Sequence, residues 1–263
     1  YSIETGGHHY GAPTTVYHGN PSIPYIFSYQ NPYDGTYRVY RINADGMGMK
    51  PVRYGKTFCQ AKFCVPFRLN NIGHLLLVDF RGDYFWSRLG SRHEVIELAS
   101  GKGWSRSWTH YVPFEINNYP YLFRYSGYTG KYEFWKIKSG GNGMSRLNKR
   151  SDRWSTDWDS VIIYKRGARH YMLMHKSSTN SYVWRRIAKD GSKVDKPEML
   201  RGKVNTHGAT LHGFHYGDRS LLLAEVKTLG WFDFRIFELS TKKPPFQSLW
   251  QNGSLTIDTH HKI

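Results

Sequence analysis

Two cysteines in 263 residues cannot build a disulfide framework. Cys59 and Cys64 stand five positions apart, so on one regular strand they face opposite sides, and a bridge between them needs a bulge. No CxxC pair and no HExxH helix is present, so neither a metal nor a cofactor is expected. No apolar run approaches the roughly 20 residues that span a bilayer. No stretch carries a helical stripe, which argues against the helix-rich classes. Acid is scarce too: 20 Asp+Glu stand against 37 Lys+Arg, a formal net charge of +17. Such an excess favours anionic partners: acidic polysaccharide, sulfated glycan, nucleic acid or a membrane surface. The first residue is Tyr1 rather than Met, as after loss of a signal peptide or in a trimmed chain; the expectation is a secreted or extracellular protein. Asn252-Gly253-Ser254 is a glycosylation sequon, which has meaning only in a secreting eukaryote.

What the chain does have is aromatic residues, 16% of the total, and a repeat. The pattern Gly-x-aromatic-x-apolar-x-x-apolar appears as GTYRVYRI at Gly35, GDYFWSRL at Gly82 and GKYEFWKI at Gly130. It returns as NSYVWRRI at Asn180 and GWFDFRIF at Gly230, so the starts are 47, 48, 50 and 50 residues apart. A second set precedes it: PYIF at Pro24, HLLL at His74, PYLF at Pro120, HYML at His170 and SLLL at Ser220. The apolar fours read as short buried strands and the Gly-x-Tyr segments as strands of period 2. The Gly, or Asn180 in its place, suits a hairpin residue at positive φ. Five units of this length, each of four short strands, predict an all-β five-bladed propeller over residues 1–263 as one domain.

A further strand precedes each apolar four: GAPTTVY at Gly11, AKFCVPF at Ala61, WTHYVPF at Trp108, WDSVIIY at Trp158 and GATLHGF at Gly208. The likeness of GAPTTVY to GATLHGF suggests that residues 1–20 are a displaced fragment of the repeat. The expectation is that this segment pairs with strands of the C-terminal third and closes the ring.

YLFRYSGYTGKYEFWKI followed by RWSTDWDSVIIY resembles the tandem-repeat propeller modules of secreted bacterial and fungal proteins. The blade count and repeat length are similar to five-bladed lectins of the tachylectin-2 type, over Ile23 to Leu239. That resemblance implies glycan binding. GGHHYGAP and LLLVDFRGDYFW are more loosely similar to propeller polysaccharide lyases, and no catalytic motif carries over residue by residue.

Three site readings follow. Trp104 and Trp108, like Trp154 and Trp158, form W-S-x-x-W pairs that would stack sugar rings or, alternatively, pack blade against blade. His8, His110 and Lys203 complete the candidate ligand contacts. In the second reading, small residues Gly11 and Gly208 stand where sister blades carry Trp, beside His9, Tyr10 and His207. There the histidines and tyrosine would move a proton in β-elimination from a uronate, with Arg81, Arg88 or Lys203 neutralising its carboxylate. The third is a basic docking surface for nucleic acid or protein, built on RLNKRSDRW from Arg146 and RRIAKDGSKVDKPEMLRGK from Arg185. A carboxylate-pair glycosidase fits less well, since only Asp79, Asp83 and Asp159 offer themselves and in no evident pair. The leading expectation is a carbohydrate-binding propeller for acidic glycans. A uronate-polysaccharide lyase is the alternative and a nucleic-acid or protein platform the third.

Overall fold

The structure, a computed structural model, describes residues 14–20, 23–31, 34–42, 49–148, 153–195, 200–203, 210–216, 219–228, 231–239 and 246–251. It contains five sheets, each of four consecutive antiparallel strands. The first is β1 (Thr14–Asn20), β2 (Ile23–Asn31), β3 (Thr36–Ile42) and β4 (Met49–Lys56). The second is β5 (Ala61–Leu69), β6 (Ile72–Asp79), β7 (Tyr84–Leu89) and β8 (Val95–Gly101). The third is β9 (His110–Ile116), β10 (Tyr119–Tyr125), β11 (Tyr132–Ile137) and β12 (Met144–Arg146). The fourth is β13 (Ser160–Arg166), β14 (Arg169–Lys176), β15 (Ser181–Arg186) and β16 (Leu200–Lys203). The fifth is β17 (Thr210–Tyr216), β18 (Arg219–Thr228), β19 (Trp231–Leu239) and β20 (Phe246–Gln251). A 3-10 turn at Ser177–Thr179 is the one helical element among the described residues, and no described helix is long and apolar enough to cross a membrane.

The apolar fours of β6, β10 and β14 exist because sheets two, three and four are packed on both faces. In β6, Leu75 and Leu77 enter the wedge between sheets one and two, while Leu76 and Val78 enter the wedge between sheets two and three. In β10, Tyr121 and Phe123 face sheet four while Leu122 faces sheet two. A strand buried on both sides reads as an apolar run, not as an alternation. The first strands β1, β5, β9, β13 and β17 lie against one another in chain order, so they form the innermost layer. The fold is an all-β five-bladed β-propeller.

One expectation is corrected. Thr14–Asn20 does not join the C-terminal sheet: β1 pairs with β2, from Thr14 opposite Ser28 to Asn20 opposite Ile23. The fifth sheet draws all four of its strands from Thr210–Gln251. The likeness of GAPTTVY to GATLHGF reflects a shared role, since β1 and β17 each open a sheet. A two-residue connection makes this pairing local, and a short loop closes at lower entropic cost than a ring-spanning one. Residues 1–13 lie outside the described residues, as does the 252–254 sequon.

Candidate functional site

Up-and-down order fixes which residues share a face. The first strands all start at one face of the propeller. Among the described residues, the connections that reach it are 57–60, 102–109 and 147–159 between sheets, with the hairpins 80–83, 126–131 and 177–180 within them. Three hairpin glycines are stitched to the connection beside them. Thr57 N donates to Gly35 O at 2.8 Å, Trp104 N to Gly82 O at 3.0 Å and Trp154 N to Gly130 O at 2.9 Å. This close approach explains the repeated glycine. A Cβ on Gly82 would sit 2.1 Å from the Trp104 carbonyl oxygen, and one on Gly130 would sit 2.0 Å from that of Trp154. Both have φ well inside the left-handed region, where Asn180 substitutes in sheet four.

The two W-S-x-x-W segments are anchors of these connections. Trp108 and Trp158 are 6% and 8% exposed, and each belongs to the core of its wedge. Trp104 stacks on Tyr84 at 4.4 Å and on Tyr111 at 5.9 Å; Trp154 stacks on Tyr132 at 3.8 Å and on Phe123 at 5.7 Å. Their faces are therefore taken by protein rings. This corrects the expectation of sugar-stacking platforms: the indoles hold the loop, and Ser105, Arg106, Ser155 and Asp157 between them are the residues displayed.

Beneath the first pair lies a buried ionic cluster that sequence reasoning missed. The Arg124 guanidinium sits 4.9, 4.4 and 4.7 Å from the rings of Trp104, Trp108 and Trp135. Its Nε donates to Glu133 Oε2 at 2.7 Å, Trp135 Nε1 donates to the same oxygen at 3.0 Å, and Arg146 Nη1 lies 3.3 Å from Oε1. Burial pulls the Arg124 pKa down, and the Glu133 carboxylate opposes that shift.

The other expected residues separate. His110 is buried: its Nε2 donates to the Asp159 carbonyl at 3.1 Å, and its Nδ1 lies 2.8 Å from Thr109 Oγ1. It joins sheets three and four and is not open to a ligand, which corrects its assignment as a contact. Arg81 is exposed on the 80–83 hairpin, where its carbonyl accepts from Arg106 Nε at 3.2 Å, and Lys203 is exposed at the end of β16. Both stay at the face. Arg88 does not: it lies opposite His74 in β7, toward the other end of the sheet. His8, His9, Tyr10 and His207 lie outside the described residues.

The acids are engaged locally. Asp79 accepts from the backbone of Arg81 and Asp83, and Asp159 from the Ser177 amide and hydroxyl. The five first strands carry one carboxylate, Glu115, at the opposite face and 3.9 Å from Arg68. The two basic runs divide as well. Arg153 belongs to a connection at the strand-start face, while 187–195 belongs to the hairpin at the other face. Among the described residues, no three His, Cys, Asp or Glu side chains group to hold a metal. Cys59 and Cys64 are not joined in a disulfide, and a bulge in β5 turns both toward the wedge between sheets one and two.

Exposed rings and cations also stand at this face. Phe58 (41% exposed) lies in the 57–60 connection, Phe80 (46%) on the 80–83 hairpin and Tyr128 (68%) on the 126–131 hairpin. Exposed Arg81, Lys102, Arg106 and Lys131 stand among them. The signal was available, since rings at hairpin tips have no sheet face to enter.

No family model matches the chain, and no curated protein matches it in sequence. Solved structures do. An exo-β-1,3-galactanase from Phanerochaete chrysosporium matches with TM-score 0.59 and 11% identity, over 93% of this chain and 62% of that one. A GH43_1 enzyme from Xanthomonas citri matches with TM-score 0.56 and 9% identity, over 97% and 96%. A putative 6-phosphogluconolactonase from Bacteroides fragilis matches with TM-score 0.53 and 12% identity, over 89% and 68%. This chain thus spans under two thirds of the galactanase. At these identities the likeness is one of fold. The class is a five-bladed propeller whose structural neighbours include carbohydrate-active enzymes.

Proposed function

We propose that the protein is an extracellular carbohydrate-binding propeller that takes acidic glycans at the face where its first strands start. The observation that carries this reading is the set of exposed rings, Phe58, Phe80 and Tyr128, interleaved with Arg81, Lys102, Arg106 and Lys131. Rings cover the C–H faces of sugars, and the cations meet carboxylate or sulfate groups. The net charge of +17 brings polyanions toward any such surface.

A second reading, glycoside hydrolysis, is favoured by the galactanase and GH43_1 neighbours. It needs two carboxylates about 5–10 Å apart across the cleft. Against it stand the first strands, whose one acid lies at the far face, and Asp79 and Asp159, which are held by local donors. The lyase reading rests on His9, Tyr10 and His207.

The test is a glycan array followed by two turnover assays on the oligosaccharides retained, one for new reducing ends and one for ultraviolet absorbance of unsaturated uronate ends. Retention without turnover, weakening steeply with salt, is expected. New reducing ends would establish the hydrolase, and rising absorbance the lyase.

A further inference from the structure

Lys62 stands apart from the other cations of this face. Opposite β6, Ala61 pairs with Asp79 and the next pair is Phe63 with Val78, so Lys62 is an extra residue in a β-bulge. The starts of β9, β13 and β17 pair with their neighbours without interruption. The bulge changes what this strand start presents. Ala61 packs into the wedge between sheets one and two, Phe63 into the wedge between sheets two and three, and Lys62 is left between them. A bulge re-aims a side chain at the cost of a ladder hydrogen bond.

The Lys62 ammonium lies 5.0 Å from the centre of the Phe63 ring, which packs in turn on Tyr111 at 4.8 Å. No described carboxylate forms an ion pair with it; that of Asp79, on the facing strand, accepts two backbone amides at Oδ1. The side chain is half-buried, and burial alone lowers its pKa. A partly desolvated cation without a counter-charge costs stability, and such residues persist where a ligand supplies the missing charge.

We propose that Lys62, aimed between the two wedges by the bulge, is the subsite that receives a carboxylate group of the bound glycan. The inference rests on the glycan reading above and adds the atom that recognises the acid. The ammonium of Lys62 donates to the carboxylate oxygens, while Phe63 and Tyr111 hold its stem in place from within the wedge. The cations on the connections then act as a diffuse attractive field, whereas Lys62 discriminates an acidic sugar from a neutral one.

The test uses Lys62→Met, which keeps the stem over Phe63, and Lys62→Arg, which keeps the charge. Both are compared with the unaltered chain for binding of a uronate oligosaccharide and of its carboxyl-reduced form. Lys62→Met is expected to weaken the acidic ligand by about tenfold or more, the scale of one charge-assisted hydrogen bond. It should leave the reduced form unchanged, and Lys62→Arg should retain most of the preference. Without ligand, Lys62→Met should raise Tm, because an uncompensated cation has been removed. Equal weakening of both ligands, or a lower Tm, would make Lys62 a packing residue and overturn the inference. If the unaltered chain binds the acidic ligand and Lys62→Met binds it equally well, the subsite alone fails. If the unaltered chain binds neither ligand, the glycan reading fails and the subsite with it.

Discussion

The wedge between sheets two and three and the wedge between sheets three and four are built to the same plan and filled with different chemistry. Each is closed by a W-S-x-x-W segment stitched to a left-handed glycine. Behind the first, Arg124 on β10 stands directly opposite Glu133 on β11. Behind the second, the same register places Met174 opposite Val183, and both join the apolar core with Trp158. Sheet two also has an apolar pair here, Leu77 opposite Phe85. An ion pair therefore occupies a place that its neighbours fill with hydrocarbon. In the second pair Trp158 shares its core with Met174 and Val183, and the cation of that wedge, Arg185, lies instead over Trp154, 5.1 Å from its ring.

The largest effect should come from splitting that pair. Glu133→Val leaves the Arg124 charge buried among three indoles and should cost about 3–5 kcal/mol. The double variant Arg124→Met, Glu133→Val copies sheet four and should recover most of the loss. Urea unfolding of the two variants checks this. A double variant no more stable than the single one would show that the wedges differ in shape as well as in charge.

The next effect concerns acid. His175 on β14 takes the place of Tyr125 on β10, opposite Tyr182 as Tyr125 is opposite Tyr132, and it is wholly buried. Burial is the main cause that lowers its pKa from 6.5 to about 4, and the Asp159 carboxylate opposes the shift. The unfolded chain therefore binds the proton more readily than the folded one. Stability is full above about pH 6.5 and falls as pH drops toward 4, by about 3 kcal/mol from this group. Burial lowers the His74 pKa too, which adds loss in the same direction. His175→Tyr, which copies sheet three, should flatten this acid limb in unfolding curves taken across the range. An unchanged slope would assign the acid sensitivity to other groups.

These contrasts also mark what was legible in the chain. The blades were readable because packing on both faces writes HLLL and HYML into the sequence, and because positive φ writes Gly82, Gly130 and Asn180. The Trp pairs were readable as positions but not as roles, since an indole that anchors a loop and one that stacks sugar are the same letter. Arg124 and Glu133 lie nine residues apart in segments that read as strands, and only their register joins them. The partner of β1 was misjudged because similarity to another strand was taken as adjacency to it. The bulge at Lys62 has no Gly or Pro to announce it.

A smaller effect should separate rings that hold the fold from rings that meet ligand. Phe80→Ala and Tyr128→Ala remove exposed side chains and should leave Tm nearly unchanged, while each costs about 1 kcal/mol of glycan affinity. Trp158→Ala should show the reverse pattern, with a large loss of Tm. Binding isotherms beside melting curves read both. Unchanged affinity in both exposed-ring variants would move the site away from these hairpins.

The smallest effect lies between the anchors. The two segments display opposite charge: Arg106 in the first, Asp157 in the second, where Asp157 stands 3.5 Å from Lys176. Neither should matter for folding, because exposed pairs of this kind contribute about 0–1 kcal/mol. For an anionic glycan their signs should separate. Arg106→Ala removes an attractive charge and should weaken binding, whereas Asp157→Asn, which still suits the left-handed backbone at this position, removes a repulsive one, releases Lys176 and should strengthen it. Each change should be about 0.5 kcal/mol at low salt and should vanish as salt rises, since exposed charges are screened over about 10 Å at 0.1 M. Opposite shifts that converge at high salt would place the polyanion over both loops. A response to Arg106→Ala alone would confine it to sheets two and three, on the side of the ionic wedge.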